Sequence, residues 1–544
     1  MPSSSSTSKT RNRSKTPSFV CEIPLRVDTA AERTLLARLE AARQLYNACL
    51  GEAMRRLRLV RASKWYQKAK HTPKDEKHRE ERREHFKAAR HEHRFTDAAL
   101  QQYAVRLRLK GEPVQREKGI AVGQQEKTWL GEHIEVHIAQ KLASRAFDAA
   151  SKMLLGKARR VRFKGRNQLD SIEGKSNETA LRWRNNALVW GGLTLPGVVY
   201  EQDEVIAHGL QQKVKYVRLV RRKIHGRNRF YAQLVEEGLP YVKEKHRERP
   251  LDTVGLDIGP STIAYVGKDQ AELQVLAGGV KRQQKKIRWL QRHLDRQRRA
   301  NNPDNFNSDG IVKRGVRLVW KKSTRQQQTE AQLAELHRRE AAHRKSLIGQ
   351  LSNEILRLGV NIQTEKVSYR GWQRLWGKSI GMRSPGMLMA TLRRKAESAG
   401  GQVNEFSTRT TRLSQVCHCG RVHKKSLRER WHDCECGVSA QRDLYSAFLA
   451  RYVQGDRLSA AEAERSWPGA ESLLRTAFNR AKDQSASRSG FIPASFGLAL
   501  GVRADRPQKV GQAELRSGMC RVMPVGDRLQ DNSREPGKGE AVSH

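Results

Sequence analysis

Two closely spaced cysteine pairs form the most distinctive chemical motif of this 544-residue chain. They are Cys417 with Cys419 and Cys434 with Cys436, and 14 residues separate the two pairs. A glycine follows each pair and permits a tight turn whose backbone N–H groups can point at sulfur. Four thiolates in two clusters are typical of a tetrahedral structural Zn²⁺ site. Each pair has one intervening residue where two are usual, so we expect tight turns.

Other roles for these cysteines remain open at the level of sequence. They could be buried free thiols or a redox pair, and a histidine could replace one sulfur as a ligand. The candidate histidines are His418, His423 and His432. A ribbon of this size buries too little apolar surface to fold alone. We therefore expect it to be an insertion in a larger domain.

Three acidic residues stand at positions where a carboxylate needs a partner. Asp257 lies in the apolar strand pattern TVGLDI, and Glu365 ends the alternating strand pattern NIQTE. Asp443 lies seven positions after Cys436, where a helix is predicted to begin. Taken singly, Asp443 could simply interact with the helix dipole, and Glu365 would mean little. A carboxylate on an apolar strand is costly unless a cation or a hydrogen bond compensates it.

Together, the three acids form a set typical of metal-dependent nucleases. Carboxylates that converge at the ends of neighbouring strands can hold two Mg²⁺ ions about 4 Å apart. One ion activates the attacking water, and the other stabilises the leaving 3′ oxygen. Mg²⁺ prefers these hard oxygens, whereas the cysteines suit the softer Zn²⁺. We predict Asp257, Glu365 and Asp443 as catalytic residues and as ligands of two Mg²⁺ ions.

The charge of the chain indicates a polyanionic partner. Lys and Arg number 105 against 57 Asp and Glu, so the formal net charge is +48 and the pI about 10.6. Nucleic acid is the natural counterion, because its binding releases condensed cations. No run of eighteen apolar residues is present, which argues against a membrane span. The other cysteines (Cys21, Cys49 and Cys520) stand singly, which favours a reducing, cytoplasmic compartment.

The first 248 residues predict a small β-barrel with an inserted helical lobe. Strand patterns occupy residues 18–28 and 158–248, and amphipathic helical patterns occupy residues 29–157. The last two strands form a hairpin around Gly226, with five basic residues near the turn. They are Arg221, Arg222, Lys223, Arg227 and Arg229. We expect this hairpin to contact nucleic acid.

A charged linker ends near Pro250 and separates the barrel from the segment that carries the three acids. The domains predicted beyond it are a nuclease domain (249–408 and 438–453), a zinc ribbon (409–437) and C-terminal helices (454–482). Two short helices joined through SWPG are expected in the last of these. Residues 1–17 and residues 483–544 have the polar composition of disordered tails.

The motifs GLDIG with Asp257, IQTEK with Glu365, CHCG, CECG and QRD with Asp443 resemble the split RuvC nuclease domain of the TnpB proteins of insertion sequences. The related compact type V CRISPR effectors share this domain. The resemblance implies an α/β RNase-H-like fold with an inserted zinc ribbon, preceded by a wedge-like β-barrel that carries a helical recognition lobe. It also implies a guide RNA, a short duplex motif beside the target, and cleavage of DNA where the guide pairs.

Three functions agree with these motifs. The first, which we favour, is a transposon-associated RNA-guided DNA endonuclease, and a compact type V CRISPR effector is an alternative to it. The second is a guide-dependent DNA-binding protein or repressor that does not cut. The third is a strand-transfer transposase, although no separate domain for binding transposon ends is evident. We expect guide RNA and double-stranded target DNA as partners, no membrane association, and a monomer.

Overall fold

The computed structural model describes residues 17–110, 116, 117, 120, 121, 126–200, 202–280, 283–426, 429–489, 496 and 497. The predicted N-terminal tail lies outside the described residues except for Pro17. The predicted C-terminal tail also lies outside them, apart from residues 483–489, 496 and 497. Among the described helices, none is both long and apolar enough to cross a membrane.

The N-terminal half combines short strands with a group of helices. In chain order its strands are β1 (Ser18–Pro24), β2 (Arg116–Glu117), β3 (Ile120–Ala121), β4 (Ser171–Glu173), β5 (Arg182–Arg184), β6 (Ala187–Trp190), β7 (Leu193–Pro196), β8 (Val214–Ile224) and β9 (Arg227–Glu237). Its helices are α1 (Thr29–Ala62), α2 (Lys64–His71), α3 (Arg79–Glu92), α4 (Asp97–Arg106), α5 (Trp129–His133), α6 (Val136–Leu154) and α7 (Glu204–Leu210). Helices α1 to α6 lie between β1 and β4 in the chain, so they form an insertion in the β layer.

Two antiparallel sheets share one apolar interior in this half. Their strand orders are β1–β9–β8–β4 and β5–β6–β7. Backbone hydrogen bonds join them at one corner, where Arg26 N–H donates to Pro196 O at 2.8 Å and Val198 N–H donates to Pro24 O at 2.7 Å. The seven strands are thus linked into one curved layer, and its full closure into a barrel stays a prediction.

Two of the five basic residues predicted near the hairpin turn support the sheet itself. Arg221 is 3% exposed, and its Nη2 lies 2.6 Å from Asp170 Oδ1. Arg222 donates to both carboxylate oxygens of Glu22 at 2.6 Å. The exposed basic side chains near the turn also include Lys223, Arg227 and Arg229. The basic character expected of this hairpin toward nucleic acid therefore rests mainly on these three residues.

The C-terminal half is an α/β assembly. Its strands are β10 (Thr253–Ile258), β11 (Thr262–Val266), β12 (Ala271–Val275), β13 (Asn361–Glu365), β14 (Val403–Phe406), β15 (Trp431–Asp433), β16 (Ser439–Gln441), β17 (Val453–Gln454) and β18 (Arg457–Leu458). Its helices are α8 (Gln284–Ala300), α9 (Thr324–Leu358), α10 (Tyr369–Arg383), α11 (Pro385–Ser398), α12 (Thr408–Thr411), α13 (Arg442–Ala450) and α14 (Ala460–Ser489).

A five-stranded mixed sheet organises this half, with the order β12–β11–β10–β13–β14. Strand β13 pairs in parallel with both β10 and β14, whereas β11 is antiparallel to both of its neighbours, β10 and β12. One apolar cluster lies between the sheet and helices α9 and α11, and a second lies between the sheet and helices α13 and α14. The predicted α/β character is confirmed, and the RNase-H-like assignment stays a prediction.

The C-terminal segment forms one long helix where two short helices joined through SWPG were predicted. Helix α14 runs through Pro468 and continues to Ser489, beyond the predicted boundary at residue 482. Alanines, leucine and phenylalanine at helical spacing bury one face of α14, and they include Ala470, Leu474 and Phe478. Burial of this face offsets the backbone hydrogen bond that a proline removes from a helix.

Candidate active site and metal centre

Asp257 and Glu365 lie side by side at the ends of neighbouring parallel strands. The register of β10 and β13 pairs Leu256 with Thr364, and the two acids are the next residue on each strand. Adjacent strands are about 4.8 Å apart, and residues in register point to the same face of a sheet. The backbone thus sets Asp257 beside Glu365 near the ends of neighbouring strands, and their role as metal ligands stays a prediction.

Helix α13 brings Asp443 to the same face. A methyl group on Gly255 would lie 1.9 Å from the carbonyl oxygen of Ala447, so the helix crosses β10 where the strand has no side chain. Asp257 is two residues beyond Gly255 on the strand, and Asp443 is one helical turn before Ala447. Two strand residues and one helical turn each cover about 6 Å. Asp443 lies close enough to Asp257 for its carboxylate to contribute to the raised pKa of Asp257.

The three carboxyl groups interact electrostatically. Burial, followed by the nearby carboxylates of Asp443 and Glu365, raises the pKa of Asp257 well above its usual range. Burial also raises the pKa of Glu365, although a hydrogen bond from Leu413 N–H opposes this. Such crowding of carboxylates in a half-buried place favours either a shared proton or a bound cation.

Two arginines contact Asp443, and neither was among the residues predicted for the site. Arg442 donates to Asp443 Oδ1 from Nε at 3.3 Å and from Nη2 at 3.2 Å. Arg430 Nη1 lies 3.9 Å from the same oxygen. Arg442 is itself held by Glu429 O, which accepts from its Nη1 at 2.8 Å. The QRD motif contained the signal for Arg442, because a basic residue directly precedes the acid.

The four predicted cysteines converge. Their sulfur atoms all lie within 4.8 Å of one another, and within the described part of the chain no other set of three or more potential ligands is grouped so closely. Cys417 Sγ is 3.5 Å from Cys436 Sγ, and Cys419 Sγ is 3.6 Å from Cys434 Sγ. Four sulfurs bound to one zinc ion are about 3.8 Å apart, given a Zn–S distance of 2.3 Å. The cluster therefore fits a structural zinc ion.

Both cysteine turns are built in the same way. Gly420 N–H donates to Cys417 O at 3.0 Å, and Gly437 N–H donates to Cys434 O at 3.0 Å. Both glycines have a positive φ, 85° and 95°, which a side chain would disfavour. The N–H group of the second cysteine in each turn donates to the sulfur of the first. The short spacing is thus compatible with the N–H to sulfur bonds that we predicted.

The chemistry of one thiol also suits a metal. Burial would raise the pKa of Cys434, but hydrogen bonds from Cys436 N–H and from His423 lower it to about 6. A lowered pKa favours the thiolate of Cys434, which is the form that binds zinc, whereas burial raises the pKa of Cys417. All four cysteines are free, and the sulfur separations exceed a disulfide length of about 2 Å.

The three candidate histidines do not replace a sulfur in the cluster. His418 Nδ1 lies 2.9 Å from the hydroxyl of Tyr445, and the ring of His432 lies 4.4 Å from the ring of Tyr445. His423 donates to Cys434 and so supports a ligand rather than acting as one. The four-cysteine set is complete without them.

Tyr445 connects the ribbon to the helix that carries Asp443. Its buried hydroxyl accepts from His418 N–H at 3.1 Å and lies 3.3 Å from Cys417 Sγ. Burial raises the pKa of Tyr445. Tyr445 thus contacts the cysteine turn, while Asp443, on the same helix, faces the sheet. No local sequence pattern predicts this connection, because Tyr445 and Cys417 are far apart in the chain.

Comparisons with known proteins agree with the motifs. Residues 386–449, which contain the ribbon and Asp443, match the family described as Cas12f1-like, TNB domain. No curated protein matches the sequence of the chain. The structure is similar to one titled "Cryo-EM structure of the Cas12f1-sgRNA-target DNA complex", with 12% identity and a TM-score of 0.37 over 79% of this chain and 98% of that one. It is also similar to "Cryo-EM structure of CRISPR-Cas12f Ternary Complex", with 13% identity and a TM-score of 0.22 over 76% of this chain and 80% of that one.

The assignment rests on the sequence match, because it contains the cysteine turns and the helix start that carry the resemblance. The predicted resemblance to the compact type V effectors is confirmed for this segment. Residues 386–449 are therefore similar to the TNB domain of Cas12f1-like proteins.

Proposed function

We propose that this protein is an RNA-guided DNA endonuclease whose active site consists of Asp257, Glu365 and Asp443. The observation that supports the proposal is the register of β10 with β13, which sets Asp257 beside Glu365, together with the effect of the nearby Asp443 and Glu365 carboxylates on the pKa of Asp257. Such a group of carboxylates is costly to maintain unless it binds cations. Two Mg²⁺ ions would supply the activated water and the stabilisation of the leaving 3′ oxygen.

The residues of the chain would position the reacting groups. Asp257 and Glu365 present oxygens at the ends of two strands whose register is set by the sheet. The Leu413 N–H group orients the Glu365 carboxylate through its hydrogen bond. Arg442 orients Asp443 and offsets part of its charge. This arrangement holds three carboxylates at fixed positions, which is the contribution that metal-assisted hydrolysis needs from a protein.

Guide RNA and target DNA are the partners that the proposal requires. The formal net charge of +48 provides strong attraction to a polyanion. The family match of residues 386–449 adds a link to effectors of the Cas12f1 kind. The protein would then contact backbone and helical shape, and base pairing with the guide would select the sequence. Association with a transposon is part of this proposal, through the resemblance to TnpB proteins.

The test uses the protein purified with its co-expressed RNA. The RNA is sequenced, and plasmids that carry the matching target with randomised flanks are supplied with Mg²⁺. We expect linear product from the wild-type protein and none from Asp257→Ala, Glu365→Ala or Asp443→Ala. Asp269→Ala is the matched control, because Asp269 is exposed in the turn between β11 and β12 and should not affect cutting. An uncut plasmid in every condition would contradict the proposal.

A guide-dependent DNA-binding protein that does not cut is the second candidate. The observation that favours it is the contact of Arg442 with Asp443, since a guanidinium group there competes with a cation. Binding of the matching DNA without linear product, in the wild type and in Arg442→Gln, would support this candidate. Joined transposon ends would instead indicate a strand-transfer transposase.

A further inference from the structure

Helix α10 directly follows the strand that ends at Glu365, with only residues 366–368 between them. All 15 residues of α10 are described, and none of them is buried. The next helix, α11, buries five residues, including Leu388 and Leu392. A helix without a buried residue gains little from packing. Packing within the protein therefore does not explain why α10 carries large aromatic side chains.

The aromatic residues of α10 form a row. Tyr369, Trp372 and Trp376 are spaced i, i+3 and i+7, which places them on one side of the helix. The ring centroids of Tyr369 and Trp372 are 5.8 Å apart, and those of Trp372 and Trp376 are 6.5 Å apart. Tyr369 and Trp372 pack partly against the sheet cluster, while Trp376 extends beyond it.

The outer end of this row is exposed. Trp376 is 38% exposed, and Leu375, which precedes Trp376 in the chain but is not part of the row, is 73% exposed. Both are large apolar side chains. Residues 373–378 are exposed without exception, so no other described part of the chain covers this turn and a half of helix. An apolar surface of this kind normally marks an interaction site.

The charge around the row indicates the chemistry of its partner. Residues 366–396 contain no Asp or Glu. Arg370 and Arg374 lie one turn apart on the side of α10 next to the aromatic row, and Lys378 follows. All three basic side chains are exposed. Flat rings beside cationic side chains suit nucleic acid with unpaired bases, because a duplex keeps the faces of its bases inaccessible.

The end of α10 is tied to the active-site edge of the sheet. Ser379 Oγ donates to Pro260 O at 2.8 Å, and Pro260 lies in the turn between β10, which carries Asp257, and β11. Arg383 Nη1 donates to Ala277 O at 3.0 Å. Between these ties and the first half of the helix, Trp376 has non-helical angles of φ −125° and ψ 37°. The exposed rings are therefore held beside the strand ends that carry the acids.

We propose that α10 is a stacking platform for single-stranded DNA. Bases of the strand stack on Trp376 and Trp372, while Arg370 and Arg374 contact its phosphates. The platform would direct an unpaired strand toward the carboxylates at the adjacent strand ends. This consequence for cutting rests on the nuclease function proposed above, whereas the binding of single strands does not.

The experiment measures binding separately from cutting. The RNA-loaded, zinc-loaded protein is titrated into a fluorescein-labelled single-stranded oligothymidine in buffer without Mg²⁺, and anisotropy gives the Kd. Trp376→Ala is expected to weaken binding about 5-fold to 150-fold, which is the range for loss of one base stack. Trp376→Phe should restore most of the affinity, since it keeps an aromatic face. Arg374→Gln should reduce the slope of log K against log salt by about 0.7.

The controls separate this surface from general effects. Trp289→Ala removes an equally prominent tryptophan, 50% exposed on the basic helix α8, and should leave the Kd within about twofold. Equal losses in Trp289→Ala and Trp376→Ala, or no loss in Trp376→Ala, would overturn the platform. A change from dimer to monomer in Trp376→Ala, seen by light scattering, would also overturn it, because a second copy would then cover the face.

The two proposals fail in different ways. If the wild-type protein never cuts a matching plasmid but Trp376→Ala weakens single-strand binding, the platform stands and the nuclease does not. If Asp257→Ala abolishes cutting but Trp376→Ala binds single strands normally, the nuclease stands and the platform is wrong. Thermal unfolding of each variant shows whether it is folded, and α10 offers little buried surface to lose.

Discussion

The cysteine cluster and the acidic triplet are both proposed ligand sets, but the chain builds them in opposite ways. The four cysteines come from two similar turns that are close in the sequence, and local backbone hydrogen bonds already direct the sulfurs inward. The three acids come from β10, β13 and α13, and they meet only when the sheet register and the helix crossing at Gly255 are in place. Local backbone turns thus form the cysteine cluster, whereas the arrangement of the acids depends on the tertiary structure of the whole domain.

The two sets also differ in their energetic role. The cysteine cluster contributes sulfurs and turns to a ribbon that packs on the helix of Asp443 through Tyr445. The acidic triplet brings negative charges close together in a partly buried place. Burial and the carboxylates of Asp443 and Glu365 raise the pKa of Asp257, which shows that its charged form is destabilised. A structural site can stabilise a fold, whereas a site for chemistry often retains unfavourable interactions that a ligand relieves.

Removal of a zinc ligand should give the largest change in stability. Structural zinc contributes about 10–16 kcal/mol of binding free energy in small zinc-finger peptides. Cys434→Ser should therefore lose the metal, lower the Tm, and expose the ribbon to proteolysis. Zinc content by atomic absorption and the Tm are the measurements. Cys520→Ser removes a thiol outside the described residues and should keep one zinc per chain. Unchanged zinc content in Cys434→Ser would contradict the comparison.

Removal of an acid should strongly reduce DNA cleavage but leave the Tm unchanged or raise it. Asp257→Asn should reduce cutting on the order of a thousandfold or more, because metal-assisted stabilisation is worth several kcal/mol. In zinc-loaded protein without added Mg²⁺, its Tm should equal or exceed that of the wild type, since a repulsive charge is removed. Plasmid cleavage rates and thermal unfolding test this pair of effects. A large drop in Tm would show that the carboxylate supports the fold.

A buried acid whose pKa is shifted by burial alone sharpens the comparison. Glu236 is buried in the N-terminal sheet, neither carboxylate oxygen has a partner among the described residues, and burial raises its pKa to about 8. The ordinary pKa is about 4.3, so between these values the folded state binds more protons than the unfolded state. Stability should therefore fall as pH rises through this window, by up to about 1.4 kcal/mol per pH unit.

The measurement for Glu236 is the Tm between pH 5 and pH 8. We expect Glu236→Gln to flatten its pH dependence relative to the wild type. Glu237→Gln is the matched control, because Glu237 follows on the same strand and pairs with Lys213 at 3.6 Å. The same slope in Glu236→Gln and in the wild type would contradict the burial argument.

Loss of the Tyr445 hydroxyl should give the smallest effect. Tyr445→Phe removes the contacts with His418 and Cys417 and leaves a buried N–H group without its acceptor, which costs about 1–3 kcal/mol. We expect a lower Tm but unchanged zinc content. Tyr452→Phe is the control, because its hydroxyl accepts only a long contact of 3.5 Å from Arg451. Loss of zinc in Tyr445→Phe would show that the ribbon depends on this connection to close.

The cysteine cluster could be predicted from sequence because its geometry is local. The spacing of Cys417 to Gly420 and of Cys434 to Gly437 already contains the turns, and the structure closes them as expected. The strand ends at Asp257 and Glu365 could also be predicted, since each follows an apolar pattern of period two. Their adjacency required the register of β10 with β13, which no local pattern contains.

The remaining features depend on tertiary contacts. Helix α10 was missed because its aromatic and basic residues bury nothing and so lack an amphipathic core pattern. The continuity of α14 through Pro468 was missed because burial against the sheet overrides the local signal of SWPG. The roles of Arg221 and Arg222 in ion pairs were missed because their partners, Asp170 and Glu22, are distant in sequence.

The central claim is that Asp257, Glu365 and Asp443 hold divalent ions together. The most direct test is a titration of the zinc-loaded protein with Mn²⁺, in which electron paramagnetic resonance counts the bound ions. We predict two Mn²⁺ per wild-type chain, loss of at least one in Asp257→Asn and in Glu365→Gln, and no change in Asp269→Asn. Equal Mn²⁺ binding by the wild type and by both active-site variants would contradict the account.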